Sequence, residues 1–127
     1  MPHFQMHLFD ETLDGTVEQG LVAGLTAAIA EVYGDDFAQL AVVELIGVPR
    51  HRWGVGGRTA TDEAPVIELI LREGAFSLPH VPDAEARLIA AITAGVGSVL
   101  GAGVAGRTTV QLTGVPRGRS GVGGVAA

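Results

Sequence analysis

The basic side chains of this sequence are all arginines. The chain has 127 residues; its eight basic residues include no lysine, and cysteine is absent altogether. These absences exclude a Schiff-base lysine, a phosphate-loop lysine, a thiolate nucleophile and a cysteine-ligated metal. An arginine side chain binds a carboxylate through two parallel N–H donors. These arginines could bind a carboxylate, or they could simply keep the surrounding loops solvated.

Two other patterns could suggest a ligand, and we reject both. His3 and His7 share one face of a predicted strand, but four strand residues span about 13 Å, so the two side chains cannot ligate one metal within the chain. Two Gly-Val-Gly-Gly runs resemble phosphate-binding loops, yet neither belongs to a GxxxxGK pattern or opens a helix. We expect no metal and no cofactor.

The composition predicts a folded protein and narrows its partners. Hydrophobic residues make up 47% of the chain and charged residues 17%, which excludes a disordered chain. We see no signal-peptide pattern and no run of about 20 apolar residues, so we expect a cytoplasmic protein without a membrane partner. The net charge of −6 argues against a nucleic-acid partner, because proteins that bind nucleic acid are usually basic.

An internal repeat is the most informative feature of the sequence. Residues 43–57 read VELIGVPRHRWGVGG and residues 110–124 read VQLTGVPRGRSGVGG, with 11 of 15 positions identical at an offset of 67. Further upstream the offset changes to 63, which aligns Pro2 with Pro65. We interpret residues 1–127 as a single domain made of two repeats, about 2–60 and 65–125.

Each repeat predicts a strand, a helix and a second strand. Apolar and polar residues alternate over residues 2–9, which is typical of a strand with one buried face. Thr16 is the predicted cap of a helix that Gly34 closes, and residues 40–48 predict the second strand. The second repeat predicts a strand near 65–72, a helix near 83–100 and a strand near 108–115. The predicted fold class is α/β (α+β), with two pseudo-symmetric β-α-β units that form a four-stranded sheet carrying two helices on one face.

These motifs together resemble the tautomerase superfamily, typified by 4-oxalocrotonate tautomerase (4-OT). The resemblance rests on Met1-Pro2 opening directly into a strand and on the turn Trp53–Gly57, WGVGG, set within the duplication. It covers essentially the whole chain, and the duplicated length resembles the 5-carboxymethyl-2-hydroxymuconate isomerase, malonate semialdehyde decarboxylase and cis-3-chloroacrylate dehalogenase branches. It implies the tautomerase/MIF-like fold, and it implies a homotrimer.

The resemblance also implies that Pro2 is a catalytic base, once Met1 has been removed. An N-terminal proline is a secondary amine, whereas every internal proline nitrogen is an amide. An unperturbed α-amino group titrates near pH 7.7–8.0, and burial or a nearby cation lowers that pKa. The amine can then be neutral at pH 7 and can act as a general base. Pro65 is internal and cannot, so the sequence predicts one active site per chain.

The other predicted catalytic residue is Arg72, in the stretch LREG. This stretch resembles the one in the chloroacrylate dehalogenases in which an arginine holds the substrate carboxylate. The chain departs from the family at two further arginine positions, where Ala75 and Val42 stand. An alternative interpretation of Arg72 is an ion pair with Glu68 or Glu73.

Three residues are predicted to bind substrate. Trp53 aligns with the aromatic residue of the family's glycine-rich turn, where it forms an apolar wall; packing at a subunit contact is an alternative. Tyr33 lies where some dehalogenases have an assisting histidine, although it could equally be a core tyrosine at a helix end. Arg119 flanks the second glycine-rich turn, where it could add to a carboxylate pocket or remain solvated.

The predicted function is a cofactor-independent tautomerase or isomerase. It would interconvert the enol and keto forms of a small carboxylate substrate, a 2-hydroxy-dienoate or an arylpyruvate, with Pro2 as general base and Arg72 as carboxylate anchor. One alternative is a decarboxylase, hydratase or dehalogenase of a three-carbon acid. Another is a catalytically silent trimeric scaffold.

Overall fold

Four strands form the central sheet of the computed structural model, which describes residues 2–127. Met1, whose removal the predicted chemistry requires, lies outside the described residues. The elements in chain order are β1 (His3–Phe9), α1 (Glu18–Tyr33), α2 (Asp35–Ala38), β2 (Val42–Val48), β3 (Gly54–Val55), β4 (Arg58–Thr59), β5 (Val66–Arg72), α3 (Ala84–Leu100), α4 (Ala102–Ala105), β6 (Thr109–Val115), β7 (Gly121–Val122) and β8 (Val125–Ala126).

The strand order in the sheet is β2-β1-β5-β6. Within each half the two strands run parallel, as a right-handed crossover through a helix requires, while the central pair β1 and β5 is antiparallel. His3 is the register partner of Val42 on one side and of Ile70 on the other. The two halves are therefore related by a pseudo-twofold axis between β1 and β5, and the predicted fold class is confirmed.

The core lies between the sheet and the long helices. Alternate residues of β1 and β5 point into it, because successive strand side chains face opposite sides of a sheet. The fully buried side chains include Phe4, Met6, Leu8, Ile67, Leu69 and Leu71 from the strands and Leu21, Leu25, Ile29, Leu88 and Ile92 from the helices. Each contributes about 1.5–3 kcal/mol of burial free energy, and this common core fixes the ends of the central strands relative to each other.

Two glycines allow the long helices to approach closely. A Cβ atom added at Gly95 would lie 2.9 Å from the carbonyl oxygen of Gly24, and one added at Gly24 would lie 3.1 Å from that of Gly95. The backbones therefore touch where α1 and α3 cross. This contact holds the carboxyl-terminal end of α1, which carries Tyr33, in a defined position against the sheet.

The predicted boundaries are close, with one correction. Gly34 closes α1 as predicted, with a φ of 95° and its N–H donated to Ala30 O at 2.8 Å. The predicted helix cap Thr16 was wrong: its hydroxyl and its N–H both donate to the carboxylate of Asp14, and Val17 occupies the cap position without a side-chain bond. Asp14 competes successfully because its side chain closes a short turn before the helix begins.

Each glycine-rich segment forms a short hairpin after the second strand of its repeat. The hairpin of the first repeat joins β3 to β4, and that of the second joins β7 to β8. Adjacent glycines with positive φ make each turn, at Gly56 and Gly57 and at Gly123 and Gly124. In the part of the chain described, none of the helices has the length and apolarity that crossing a membrane would require.

Candidate active site

Pro2 lies at the start of β1, between the two neighbouring strands. It is buried, and its carbonyl oxygen accepts a hydrogen bond from Val42 N at 2.9 Å. Continuing the antiparallel register by one residue places Pro2 opposite Leu71 at the end of β5. Pro65 is held in the same way by Thr109 N at 2.9 Å, so the two prolines occupy equivalent places in the two halves.

Arg72 ends β5 beside the strand end that carries Pro2. Its side chain lines a pocket of about 260 Å³ on the sheet face opposite the long helices. We call this the open-face pocket; it is lined by His3, Val42, Ile70, Arg72 and Ser120, among others. Pro2 does not itself line this pocket, but the next residue, His3, does, and Ile70 pairs with His3, so the pocket lies at the strand end that carries Pro2.

The guanidinium of Arg72 is exposed and has no carboxylate within 4.0 Å among residues 2–127. The predicted alternative, an ion pair with Glu68 or Glu73, is not formed. Glu68 instead accepts a hydrogen bond from the hydroxyl of Thr113 at 2.8 Å, and Glu73 packs over Gly114 on β6. Within residues 2–127, the charge of Arg72 is therefore not neutralised by an ion pair.

A second cavity, of about 510 Å³, lies on the helix side of the same strand ends. We call this the helix-side cleft. Its lining residues include Tyr33, Phe37, Leu40, Arg72, Ala75 and Leu78. Arg72 lines both cavities, so they meet at its side chain. None of the sequence patterns singled out Phe37, Leu40 or Leu78, because an apolar residue in a connecting segment has no signature that separates a cleft from a core.

Tyr33 forms one wall of the helix-side cleft. Its hydroxyl donates to Ala75 O at 2.8 Å, and its ring packs against Phe37 with centroids 5.1 Å apart and an interplanar angle of 64°. Burial raises the pKa of the Tyr33 phenol, the negative charge of Glu85 adds to that shift, and Arg87 opposes it. The phenol therefore stays protonated at physiological pH, and its one proton is held by a backbone carbonyl.

Trp53 lies at the opposite end of β1 from Pro2. Its ring packs edge-on against Phe9, with centroids 5.5 Å apart at 87°. Phe9 is seven residues from Pro2 along β1, a distance of about 23 Å. Trp53 and Pro2 of one chain therefore do not share a site, and only another copy of the chain could bring such a tryptophan to Pro2.

In the other half of the chain, the strand end equivalent to the Pro2 end is closed by the rings of Phe9 and Trp53. The repeat offsets relate Phe9 to Arg72 and Trp53 to Ser120. Arg50 covers the Phe9 ring at 4.4 Å, and its Nε donates to Glu11 Oε1 at 2.6 Å. The internal Pro65 end thus carries a packed aromatic cluster, whereas the Pro2 end has an arginine and a serine around an open pocket.

Arg119 lies in the exposed turn between β6 and β7. Its backbone N–H donates to Pro116 O at 3.0 Å, and its neighbour Ser120 lines the open-face pocket. The two positions at which the chain departs from the expected arginines also border the cavities, since Val42 lines the open-face pocket and Ala75 the helix-side cleft. Arg72 is therefore the arginine that the structure brings to both cavities.

Comparisons with known proteins identify relatives of this fold. No protein-family model and no curated protein sequence matches the chain. Among solved structures, a native fused 4-OT is 29% identical, with a TM-score of 0.82 over 98% of this chain and 95% of that one. A second fused 4-OT, an asymmetric trimer, is 27% identical over the same shares, with a TM-score of 0.81.

More distant structures share the fold alone. A macrophage migration inhibitory factor-like protein from Entamoeba histolytica is 12% identical, with a TM-score of 0.73 over 99% of this chain and 98% of that one. The similarity to both fused 4-OT structures covers 98% of this chain, and therefore both copies of its sequence repeat. The comparisons therefore support the tautomerase superfamily, in its duplicated form, as the family of this chain.

Proposed function

We propose that the protein is a cofactor-independent tautomerase that interconverts the enol and keto forms of a small 2-oxo acid, with the Pro2 amine as general base. The observation that carries the proposal is the open pocket at the Pro2 strand end, where Arg72 has no carboxylate partner among residues 2–127. The fused 4-OT relatives support the reaction class.

The proposed chemistry begins with removal of Met1, which converts Pro2 into a secondary amine. The burial of Pro2 and the cation of Arg72 at the neighbouring strand end both disfavour the protonated amine. In the neutral state the amine takes the proton of the substrate's enol hydroxyl. The electron pair left on oxygen forms the carbonyl group, and the π electron pair of the carbon–carbon double bond takes a proton from the ammonium to form the new C–H bond. Atoms and charge balance without a cofactor.

Arg72 supplies the anchor in this scheme. Its two parallel N–H donors bind the substrate carboxylate, and the adjacent 2-oxygen then lies between the anchor and the strand end that carries Pro2. The same cation stabilises negative charge that develops on that oxygen. Arg119, on the exposed turn, is proposed to add only to the electrostatic attraction of the acid.

We propose that the protein acts as a homotrimer. The sheet face away from the helices leaves Val42 44% exposed and Ile46, Val66 and Ile70 only partly covered, and two fused 4-OT relatives are trimers. In such an assembly Trp53 of one chain could form the apolar wall beside Pro2 of another. Sedimentation is expected to give a particle of about 39 kDa, three times 13.0 kDa; a monomer at micromolar concentration would contradict the trimer.

The direct test compares the two prolines. The protein is first shown by intact mass to lack Met1, and the ketonisation of enol acids is then followed by ultraviolet absorbance. Inserting alanine before Pro2, which makes its nitrogen an amide, is expected to lower kcat/KM by about 100-fold or more, the usual range for a lost general base. The matched variant Pro65→Ala is expected to retain activity. Activity that survives the insertion would contradict the proposal, and a native protein inactive on every enol acid would indicate a silent scaffold or another reaction.

A further inference from the structure

Most of the residues that line the helix-side cleft are apolar or aromatic. We infer that it holds the apolar tail of the substrate, so that the preferred ligand is a monocarboxylate with an aryl or alkyl tail and a dicarboxylate is rejected. This inference rests on the proposed function for the reaction, but it concerns binding and can be measured without turnover.

The position of the cleft is fixed by the strands on either side of β1. Leu40 lies two residues before Val42, whose N–H is bonded to Pro2 O, and Arg72 lies at the end of β5 on the other side. Both residues line the helix-side cleft, so the cleft crosses the start of β1. A ligand whose carboxylate is bound by Arg72 can therefore extend past Pro2 towards Leu40.

The charge of the lining argues for an apolar tail. Among the described residues that line the cleft, Arg72 is the one arginine and His80 the one histidine, and the wall opposite Arg72 carries Leu40, Phe37 and Leu78. A second carboxylate placed against this wall would lose its hydration without gaining a cation, which is costly. An aromatic or aliphatic tail would instead bury apolar surface there, which is favourable.

Two contacts within the chain hold the walls of the cleft in place. The bond from Tyr33 to Ala75 O joins the end of α1 to the segment after β5, and the Tyr33 ring packs against Phe37. Leu40 differs from these residues, because it is 50% exposed and its side chain stands at the cleft without being part of the core. A ligand in the cleft would cover this exposed side chain.

The test uses two unreactive acids and the full chain without Met1. Isothermal titration calorimetry measures the binding of cinnamate, a monocarboxylate with an aryl tail, and of trans,trans-muconate, a dicarboxylate. We expect cinnamate to bind at least about 10-fold more tightly. Leu40→Ala is expected to weaken cinnamate binding by about 10-fold, the effect of removing apolar contacts from a pocket, while Leu40→Lys is expected to shift the preference towards muconate.

A control variant separates the cleft from general effects. Ile89→Ala removes an aliphatic side chain of α3 that is 42% exposed and lines neither cavity, so cinnamate binding is expected to be unchanged.

Each outcome bears on one of the two proposals. Muconate binding as tight as cinnamate, binding of neither acid, or cinnamate binding that is unaffected by Leu40→Ala would overturn the inference. If cinnamate binds as expected but no enol monocarboxylate is ketonised, the proposed tautomerase activity fails while the assignment of the cleft stands. Turnover of both acid classes at equal kcat/KM would leave the activity in place and overturn the selectivity.

Discussion

Trp53 packs edge-on against Phe9 at a centroid distance of 5.5 Å, and the residues that the repeat places in equivalent positions, Ser120 and Arg72, line an open pocket instead. The duplication thus produced two similar strand ends with different surroundings. One is filled by aromatic rings behind the internal Pro65. The other is open beside Pro2, the proline that can become a chain terminus. This asymmetry is the structural basis for expecting one active site per chain.

The first prediction concerns the closed strand end. Trp53→Ala should lower the free energy of unfolding by about 2 kcal/mol, because it removes a half-buried ring from a packed aromatic pair. Ser120→Ala, its counterpart in the repeat, should change that free energy by less than about 0.5 kcal/mol. Urea denaturation at fixed protein concentration measures both values. Equal losses of unfolding free energy in the two variants would show that the two strand ends are packed alike, which would contradict the prediction.

The second prediction separates two arginines by their effects. Arg72→Gln should lower kcat/KM about 10- to 100-fold, because it removes charge-assisted bonds to the substrate, and should leave the melting temperature nearly unchanged, since Arg72 has no carboxylate partner among residues 2–127. Arg50→Gln should lower the melting temperature and leave kcat/KM nearly unchanged. It loses the contacts with Glu11 and the Phe9 ring, each worth about 0.5–1 kcal/mol at an exposed site.

A reversal of these two effects would contradict the placement of the site. Arg72→Lys is a useful third variant, because lysine keeps the charge but loses the paired donors. It should recover part of the lost kcat/KM. Thermal unfolding and steady-state kinetics on the same preparations provide both measurements.

The third prediction concerns pH. Burial raises the pKa of Tyr33 above its ordinary value of 10.0, so the unfolded chain releases this proton before the folded one does. The stability linked to Tyr33 is fully present below pH 10 and is lost as pH rises through the folded pKa. The free energy of unfolding should therefore fall above pH 10, and less steeply in Tyr33→Phe.

The same titration can be observed directly. The chain contains one tyrosine, so the rise in absorbance at 295 nm reports Tyr33 alone. A midpoint above 10 in the folded protein, moving to the ordinary value in denaturant, is the expected result. A midpoint at or below 10 in the folded state would show that the phenol is not buried as described.

Much of the fold could be predicted from the sequence, because the repeat and the alternation of apolar residues in β1 are local signals. The placement of Arg72 at the Pro2 strand end also followed from the resemblance. The helix cap could not be predicted, since the Thr16 hydroxyl can accept from the helix or donate to the Asp14 carboxylate, and the outcome depends on geometry. The separation of Trp53 from Pro2 depends on which end of β1 each hairpin meets, which is a property of the tertiary structure.

The central claim is that Pro2 is a basic amine with a lowered pKa, and one titration tests it most directly. Protein labelled with ¹⁵N-proline and shown by mass to lack Met1 has one proline nitrogen that can titrate, while the amide nitrogens of the other prolines cannot. We expect a single titrating signal with a midpoint at or below about 7.7, the lower end for an unperturbed α-amino group, and the same midpoint in the pH profile of kcat/KM. A retained Met1, or an amine that stays protonated well above pH 8, would contradict the account.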